Sequence, residues 1–155
     1  MPTVGVFAAM FDEHGRMLCV KLNYGPLSWT TPGGRVEAGE SPVAALIREI
    51  HEESGYHAQV ERLVGVYSAP FKDDIVLMMT ARIIGSDGWA PNDEIAQIGF
   101  FARDALPEPM NPRVQHRIGD SFAGRSGTTC QFSSRSSCRA ANRERLATSR
   151  GRFAQ

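Results

Sequence analysis

The sequence predicts an α/β fold from three observations. Two apolar, β-branched runs open the chain and are joined by a turn; one segment, residues 42–54, carries complete helix start and stop signals; and further strand-like runs follow that helix. A chain of 155 residues with 42% apolar composition can bury one core of ordinary size. The expected organisation is one domain, residues 1–122, followed by a tail, residues 123–155.

The first element is read from "TVGVFAAMF", "DEHG" and "RMLCVKLNY", which predict a β-hairpin over residues 3–23. The next stretch, "GPLSWTTPGG", is rich in Gly, Pro, Ser and Thr and is expected to be a loop delivering the chain to Arg35 and Val36. Ser41 is a good helix N-cap, Pro42 suits the first helical position, where its missing N–H costs nothing, and Gly55 can take the left-handed conformation that ends a helix. Two strand-like runs follow, "HAQVERLVGVYSA" and "DIVLMMTARIIG", separated by the turn-prone "PFKDD". A short strand "IGFFA" comes after the loop "SDGWAPNDEIAQ", and Asn111 with Pro112 opens a second helix in "NPRVQHRIGDSFAG".

From about Gly124 the composition shifts to Ser, Arg, Gly and Ala, with too few large apolar residues to bury a face. A disordered or weakly helical tail is expected. Residues 1–122 hold ten Lys and Arg against sixteen Asp and Glu, whereas residues 123–155 hold seven Arg and one Glu. The basic tail lacks interleaved aromatics and any recognisable module, so nucleic acid is not the expected partner. No stretch approaches the roughly 20 apolar residues of a membrane span, and the opening apolar run is broken by Asp12 and Glu13 without a basic segment before it. A cytoplasmic protein is the expectation, with no membrane partner. Cys19, Cys130 and Cys138 are odd in number and lack CxxC spacing, so free thiols and no cysteine-bound metal are expected.

The helix at residues 42–54 carries the chemistry. At about 100° per residue, Val43, Leu46, Ile47 and Ile50 gather on one side, which is expected to pack on the sheet, while Glu49, Glu52 and Glu53 share a neighbouring side. Carboxylates so close repel one another, and two of them lie in the last turn, where the helix dipole disfavours negative charge. A solvated acidic face usually mixes in Lys at i+4 spacing; this side has none, and Arg48 is expected to point off in another direction. Unfavourable local choices made together suggest a compensating ligand, and clustered carboxylate oxygens suit hard cations such as Mg²⁺.

The spacing from Gly34 through Glu40 to "REIHEESGY" at residues 48–56 resembles the Nudix box, GX5EX7REUXEEXGU with U a bulky apolar residue, at every fixed position. Only Tyr56 is slightly unusual, being aromatic where an aliphatic residue is commoner. The order of hairpin, "SWTTPGG" and later strands extends the likeness to residues 3–122. The resemblance implies the Nudix fold, an α/β/α sandwich around a mixed β-sheet, and a metal-dependent hydrolase that cuts the pyrophosphate bond of a nucleoside diphosphate linked to another moiety. It also implies Mg²⁺ or Mn²⁺ held by Glu49, Glu52 and Glu53 with the backbone carbonyl of Gly33. Glu53 is the first choice of general base, with Glu52 next. Glu94, in "PNDEI", is either the further carboxylate that many Nudix proteins bring from outside the box or an exposed loop acid. Arg48 is expected to orient the glutamates and to pair with Glu40, a structural contact, and Gly34 and Gly55 answer for backbone shape.

Other residues carry plainer readings. His51 is expected to be a surface histidine. Trp29 is read equally as a base-stacking surface and as a core residue, with Tyr24, Tyr67, Phe71 and Trp89 weaker candidates for substrate contact. Met78 and Met79 are packing residues. The expected partner is a small-molecule nucleotide, and monomer and homodimer both stay open. The rival reading is a catalytically silent Nudix-fold nucleotide sensor; such proteins usually lose box glutamates, and none is missing here.

Overall fold

The structure, a computed structural model, describes residues 1–134 and 137–140. Strands β1 (Thr3–Ala9), β2 (Met17–Leu22), β3 (Trp29–Thr30) and β4 (Gly33–Arg35) precede helix α1 (Pro42–Ser54). Strands β5 (Tyr56–Ala69), β6 (Asp74–Ser86) and β7 (Ile95–Phe101), helix α2 (Pro112–Phe122) and strands β8 (Thr128–Phe132) and β9 (Cys138–Ala140) follow. One sheet runs β4-β1-β6-β5-β8-β9 and a smaller one β3-β2-β7. The larger sheet is mixed, since β1 lies parallel to β6 and β5 parallel to β8 while its other pairs are antiparallel.

Successive side chains of a strand point to opposite faces, and β1 and β6 use both. Val6, Ala8, Met79 and Ala81 pack with Ala45, Leu46 and Ile50 of α1. Ala9, Val76 and Met78 pack in a second core with Ile118 of α2 and Phe132 of β8. The two helices therefore cover opposite faces of the sheet, which is the sandwich expected from the sequence. Among the described residues no helix is long and apolar enough to cross a membrane.

Helix α1 starts and stops at the residues that its signals predict. The Ser41 hydroxyl accepts the Ala44 N–H, and Gly55 closes the helix at φ 72°. Asn111 caps α2 by accepting the Arg113 N–H. Elsewhere the expectations need correction. A tight turn does join β1 to β2, with Asp12 N–H bonded to the Arg16 carbonyl, but the two strands then part into different sheets. The expected loop "GPLSWTTPGG" contains β3, only two residues long, and β4, which opens with two glycines, so neither shows a strand pattern. Strand β7 begins at Ile95, ahead of "IGFFA".

Two corrections concern α1 itself. Val43 and Ile47 are 44% and 40% exposed, and the buried stripe is Ala45, Leu46, Ile50, Glu53 and Ser54. That stripe is centred between Leu46 and Glu53 on the helical wheel, so Ile47 falls beyond its edge and Glu49 within it, while Val43, in the first turn, is exposed although its angle falls inside. A wheel centred on the apolar residues alone is rotated away from the true one.

The tail is also partly ordered. Thr128–Phe132 and Cys138–Ala140 extend the sheet as β8 and β9, and Cys130 bonds Cys138 in a disulfide across them, with Cα atoms 5.7 Å apart. Both the expected loose tail and the expected free thiols are wrong for these residues. β8 needs few apolar side chains of its own because it docks beside the long strand β5, burying Cys130 and Phe132. Cys19 is free and buried, its thiol pushed up to about 12 by burial. The expectation for residues 141–155 lies outside the described residues.

Candidate active site

The site begins with two glycines on the edge strand β4. The Gly33 N–H donates to Glu53 Oε2 at 3.1 Å, drawing a glutamate of α1 into a place where only 6% of it is exposed. A Cβ on Gly34 would sit 2.3 Å from Glu49 Oε1, and one on Gly33 would sit 2.2 Å from the Val6 carbonyl oxygen and 2.7 Å from the Phe7 Cα. The glycines therefore set how closely the helix and β1 can approach the strand.

The two positions should respond differently to alanine. Gly34→Ala meets the end of a side chain, so it should cost about 1 kcal/mol of stability or less, while activity falls because the Glu49 carboxylate is displaced. Gly33→Ala meets backbone and should cost roughly 3 kcal/mol or more. Thermal melts beside turnover measurements check the pair; equal loss of stability in both would contradict it.

Arg48 gathers the other carboxylates. Its Nε and Nη2 donate to the two oxygens of Glu40 at 3.0 and 3.2 Å, a bidentate pair. Nη1 donates to Glu49 Oε1 at 3.0 Å and to Glu52 Oε2 at 3.3 Å, and Nη2 also reaches the Arg35 carbonyl at 3.3 Å. The expected pairing with Glu40 is present, but the expectation that Arg48 points away from the glutamates is not met. Glu52 is one turn further on, at i+4, so the two share one edge of the helix.

Charge crowding and burial work together here. The Glu53 carboxyl is pushed up to about 8, chiefly by burial and further by Glu49, Glu94 and Glu52, against the lowering effect of the Gly33 N–H. Burial also raises Glu49, opposed by Arg48 and supported by Glu52 and Glu94. Glu94, which adds to this charge, is exposed on a loop whose backbone is fixed by Asn23 N–H on its carbonyl and by Asn92 Oδ1 on its own N–H. Glu49, Glu53 and half-exposed Glu52 offer only carboxylate oxygens and excess negative charge, although those oxygens do not all lie within 4.8 Å of one another. Such a set fits Mg²⁺ or Mn²⁺.

Beside Glu53 opens a cavity of about 210 Å³ lined by Phe7, Tyr24, Trp29, Gly33, Gly34, Val114 and Arg117 among others. Trp29 is a core residue, 8% exposed and packed edge-on against Phe101, and it also lines this cavity. Tyr24 is exposed, its phenol raised by burial of the ring and by Glu53, Glu94 and Glu49. Of the weaker candidates, Tyr67 is a core residue bonded to Asp120, Phe71 is exposed beneath Arg113, and Trp89 lines a separate depression. Met78 and Met79 are buried, as expected.

Arg117 escaped the sequence reading. It is 6% exposed, its guanidinium lies 5.0 Å from the Phe7 ring centre, and its Nε has no hydrogen-bond partner among the described residues. Burial lowers it to about 10, which still leaves it charged at neutral pH. The available signal was a cation on the stripe Val114, Arg117, Ile118, Ser121, the face on which α2 turns inward.

Residues 1–120 match the NUDIX domain family. A Bacillus subtilis (strain 168) protein, provisionally named an 8-oxo-dGTP diphosphatase, is 37% identical over 120 residues, spanning 77% of this chain and 80% of that protein. The ADP-ribose pyrophosphatase of Methanocaldococcus jannaschii is 33% identical over 113 residues, 69% of this chain and 66% of the relative. The crystal structure of an ADP-ribose pyrophosphatase from Streptococcus suis 89-1591 superposes with a TM-score of 0.69 at 26% identity, covering 86% of this chain and all of that one.

Proposed function

Because the chain belongs to the Nudix family of pyrophosphohydrolases, we propose that it cuts the diphosphate bridge of a small nucleotide, a nucleoside triphosphate or a nucleotide sugar, with Mg²⁺ or Mn²⁺. One observation supports this above the others. The buried Glu53 is seated by the Gly33 N–H at a cavity with aromatic and cationic walls, and Gly34 leaves room for the Glu49 carboxylate beside the same strand.

In this reading Glu49, Glu52 and Glu53, with the Gly33 carbonyl, would hold the ions. Bound there, divalent ions supply positive charge that offsets the phosphates and acidifies water. Glu53 accepts the proton of the attacking water, with Glu52 as the second candidate and Glu94 as a further acid at the rim. The water oxygen joins phosphorus as the bridging P–O bond breaks, leaving a nucleoside monophosphate and the other phosphorylated half. Arg48 is a positioning residue, holding Glu49 and Glu52 while anchored on Glu40. Trp29 and Tyr24 offer flat surfaces to a base, and Arg117 meets an acceptor oxygen of the substrate. The named activities of the relatives make 8-oxo-dGTP and ADP-ribose the first substrates to try.

The test is a panel of nucleoside triphosphates, nucleotide sugars and dinucleotides with product identification. Turnover should vanish in excess chelator and return with Mg²⁺ or Mn²⁺. Full activity in chelator sinks the metal-dependent reading, and tight binding without turnover of any member would make the protein a sensor. Arg117→Met gives a sharper check of the cavity. Exchanging a buried cation for an apolar side chain of similar length is neutral or stabilising, so the melting temperature should hold or rise. KM should rise roughly 10- to 100-fold, the worth of a charged hydrogen bond. An unchanged KM would place the substrate elsewhere.

A further inference from the structure

His51, in the last turn of α1, His57, near the start of β5, and Asp87, just beyond β6, meet on the surface apart from the cavity. We infer that they form a binding site for a divalent transition ion, zinc foremost, held by two imidazole nitrogens and one carboxylate. Both Nε2 atoms lie 2.8 Å from the same oxygen, Asp87 Oδ2, and the rings stack with centres 4.8 Å apart and planes 25° from parallel. All three donor atoms lie within 4.8 Å of one another. Zinc bonds to imidazole and carboxylate of about 2.0–2.2 Å place neighbouring donors roughly 3 Å apart, and both nitrogen–oxygen separations are already there.

The frame holds these donors without help from long, flexible side chains. The Asp87 N–H donates to the Gly55 carbonyl at 2.9 Å, and His57 stands opposite Gly85 in the β5–β6 pairing. Gly55 lacks the Cβ that would lie 2.0 Å from the Gly88 carbonyl oxygen, so the end of α1 can close onto the loop that carries Asp87. Donors fixed by backbone on three elements are preorganised for an ion.

Without an ion, each neutral imidazole can give one N–H to Asp87 Oδ2, which has lone pairs for both, but pairs this exposed contribute little to stability. With an ion bound, each ring carries its proton on Nδ1 and turns the Nε2 lone pair inward. The side chains are 46%, 48% and 60% exposed, which leaves the remaining coordination positions to water. Imidazole favours zinc, copper and nickel over Mg²⁺, so this site and the all-oxygen glutamate cluster select different ions. A bound ion would pin the last turn of α1, the helix of Glu49, Glu52 and Glu53, to the end of the β5–β6 ribbon.

The experiment is a zinc titration of the full chain with Mg²⁺ in large excess. The Cys130–Cys138 disulfide is kept oxidised, so that the other His/Cys cluster, His116 with Cys130 and Cys138, has no free thiolate. One zinc ion per chain is expected, together with a rise in melting temperature. His57→Ala and Asp87→Ala should each weaken it at least about 10-fold, since loss of groups that merely orient a ligand already costs that much. Glu52→Gln should bind zinc like the wild type. Equal zinc affinity in the wild type, His57→Ala and Asp87→Ala overturns the inference, as does zinc lost only with Glu52→Gln. Because the readouts are zinc binding and melting, hydrolytic activity plays no part in the outcome.

Discussion

Glu53→Gln lowers kcat by on the order of 10³-fold while the protein stays folded. The substitution keeps the shape and an acceptor oxygen for the Gly33 N–H, so the contact that seats residue 53 against β4 can persist. What goes is the negative charge, and with it both an oxygen ligand for a divalent ion and the proposed acceptor of the water's proton. Loss of general base catalysis alone is worth about 10²–10⁴. KM should move less, because the cavity walls, Trp29, Tyr24 and Arg117, are untouched. Glu52→Gln provides the internal comparison: Glu52 is half exposed and held only at its edge by Arg48, so its loss should be smaller. Steady-state kinetics at saturating Mg²⁺ decide between them. A Glu53→Gln enzyme with more than a tenth of wild-type kcat would remove Glu53 from the chemistry, and a larger loss in Glu52→Gln would transfer the base to Glu52.

Much of this site is legible in the sequence, for reasons particular to each residue. Both ends of α1 could be read because capping is local: Ser41, Pro42 and Gly55 act within a turn of themselves. The crowding of glutamates along one edge of α1 could be read as a charge pattern without a counter-pattern. The burial of Glu53 could not, because a helical wheel built from apolar residues assumes that acids face water, whereas Glu53 is drawn inward by a backbone N–H twenty residues away. Strand β3 is two residues long and shows no pattern, and β4 was invisible for a related reason. Gly33 and Gly34 have no side chains to show an alternating pattern, and their value lies in what they let approach. Arg117, the Cys130–Cys138 bond and the His51–His57–Asp87 cluster all depend on contacts between elements distant in sequence. No local propensity encodes them.

The metal-free protein should become less stable as pH rises from about 5 to about 8, and divalent ions should abolish that loss. The folded Glu53 carboxyl is raised from an ordinary value of 4.5 to about 8. Between those values the folded state keeps a proton that the unfolded state has released, so the stability of folding falls with pH across that window. Below it both states are protonated and the burial carries no charge. Above it the fold holds a buried carboxylate facing Glu49, Glu94 and Glu52, and the whole penalty is present. Glu49 is raised by burial as well and adds in the same direction. The size is on the order of a few kcal/mol, as linkage gives about 1.4 kcal/mol for each pH unit separating the two values. Asp12 and Asp87 are held below the ordinary carboxylate value, Asp87 chiefly by its hydrogen bonds to His57 and His51, so their contributions are lost only at more acid pH. Arg117, lowered to about 10, acts above the window. Thermal melts of chelated protein from pH 5 to 8 therefore report Glu53 by difference from Glu53→Gln, which should have the flatter slope because an amide has no proton to lose. Saturating Mg²⁺ should flatten it in the wild type too, since a cation among the oxygens replaces the proton as the neutralising charge, and the stabilisation by Mg²⁺ should grow with pH. A wild-type slope equal to that of Glu53→Gln would mean that the carboxylate is solvated in solution and that the charge-crowded pocket does not exist.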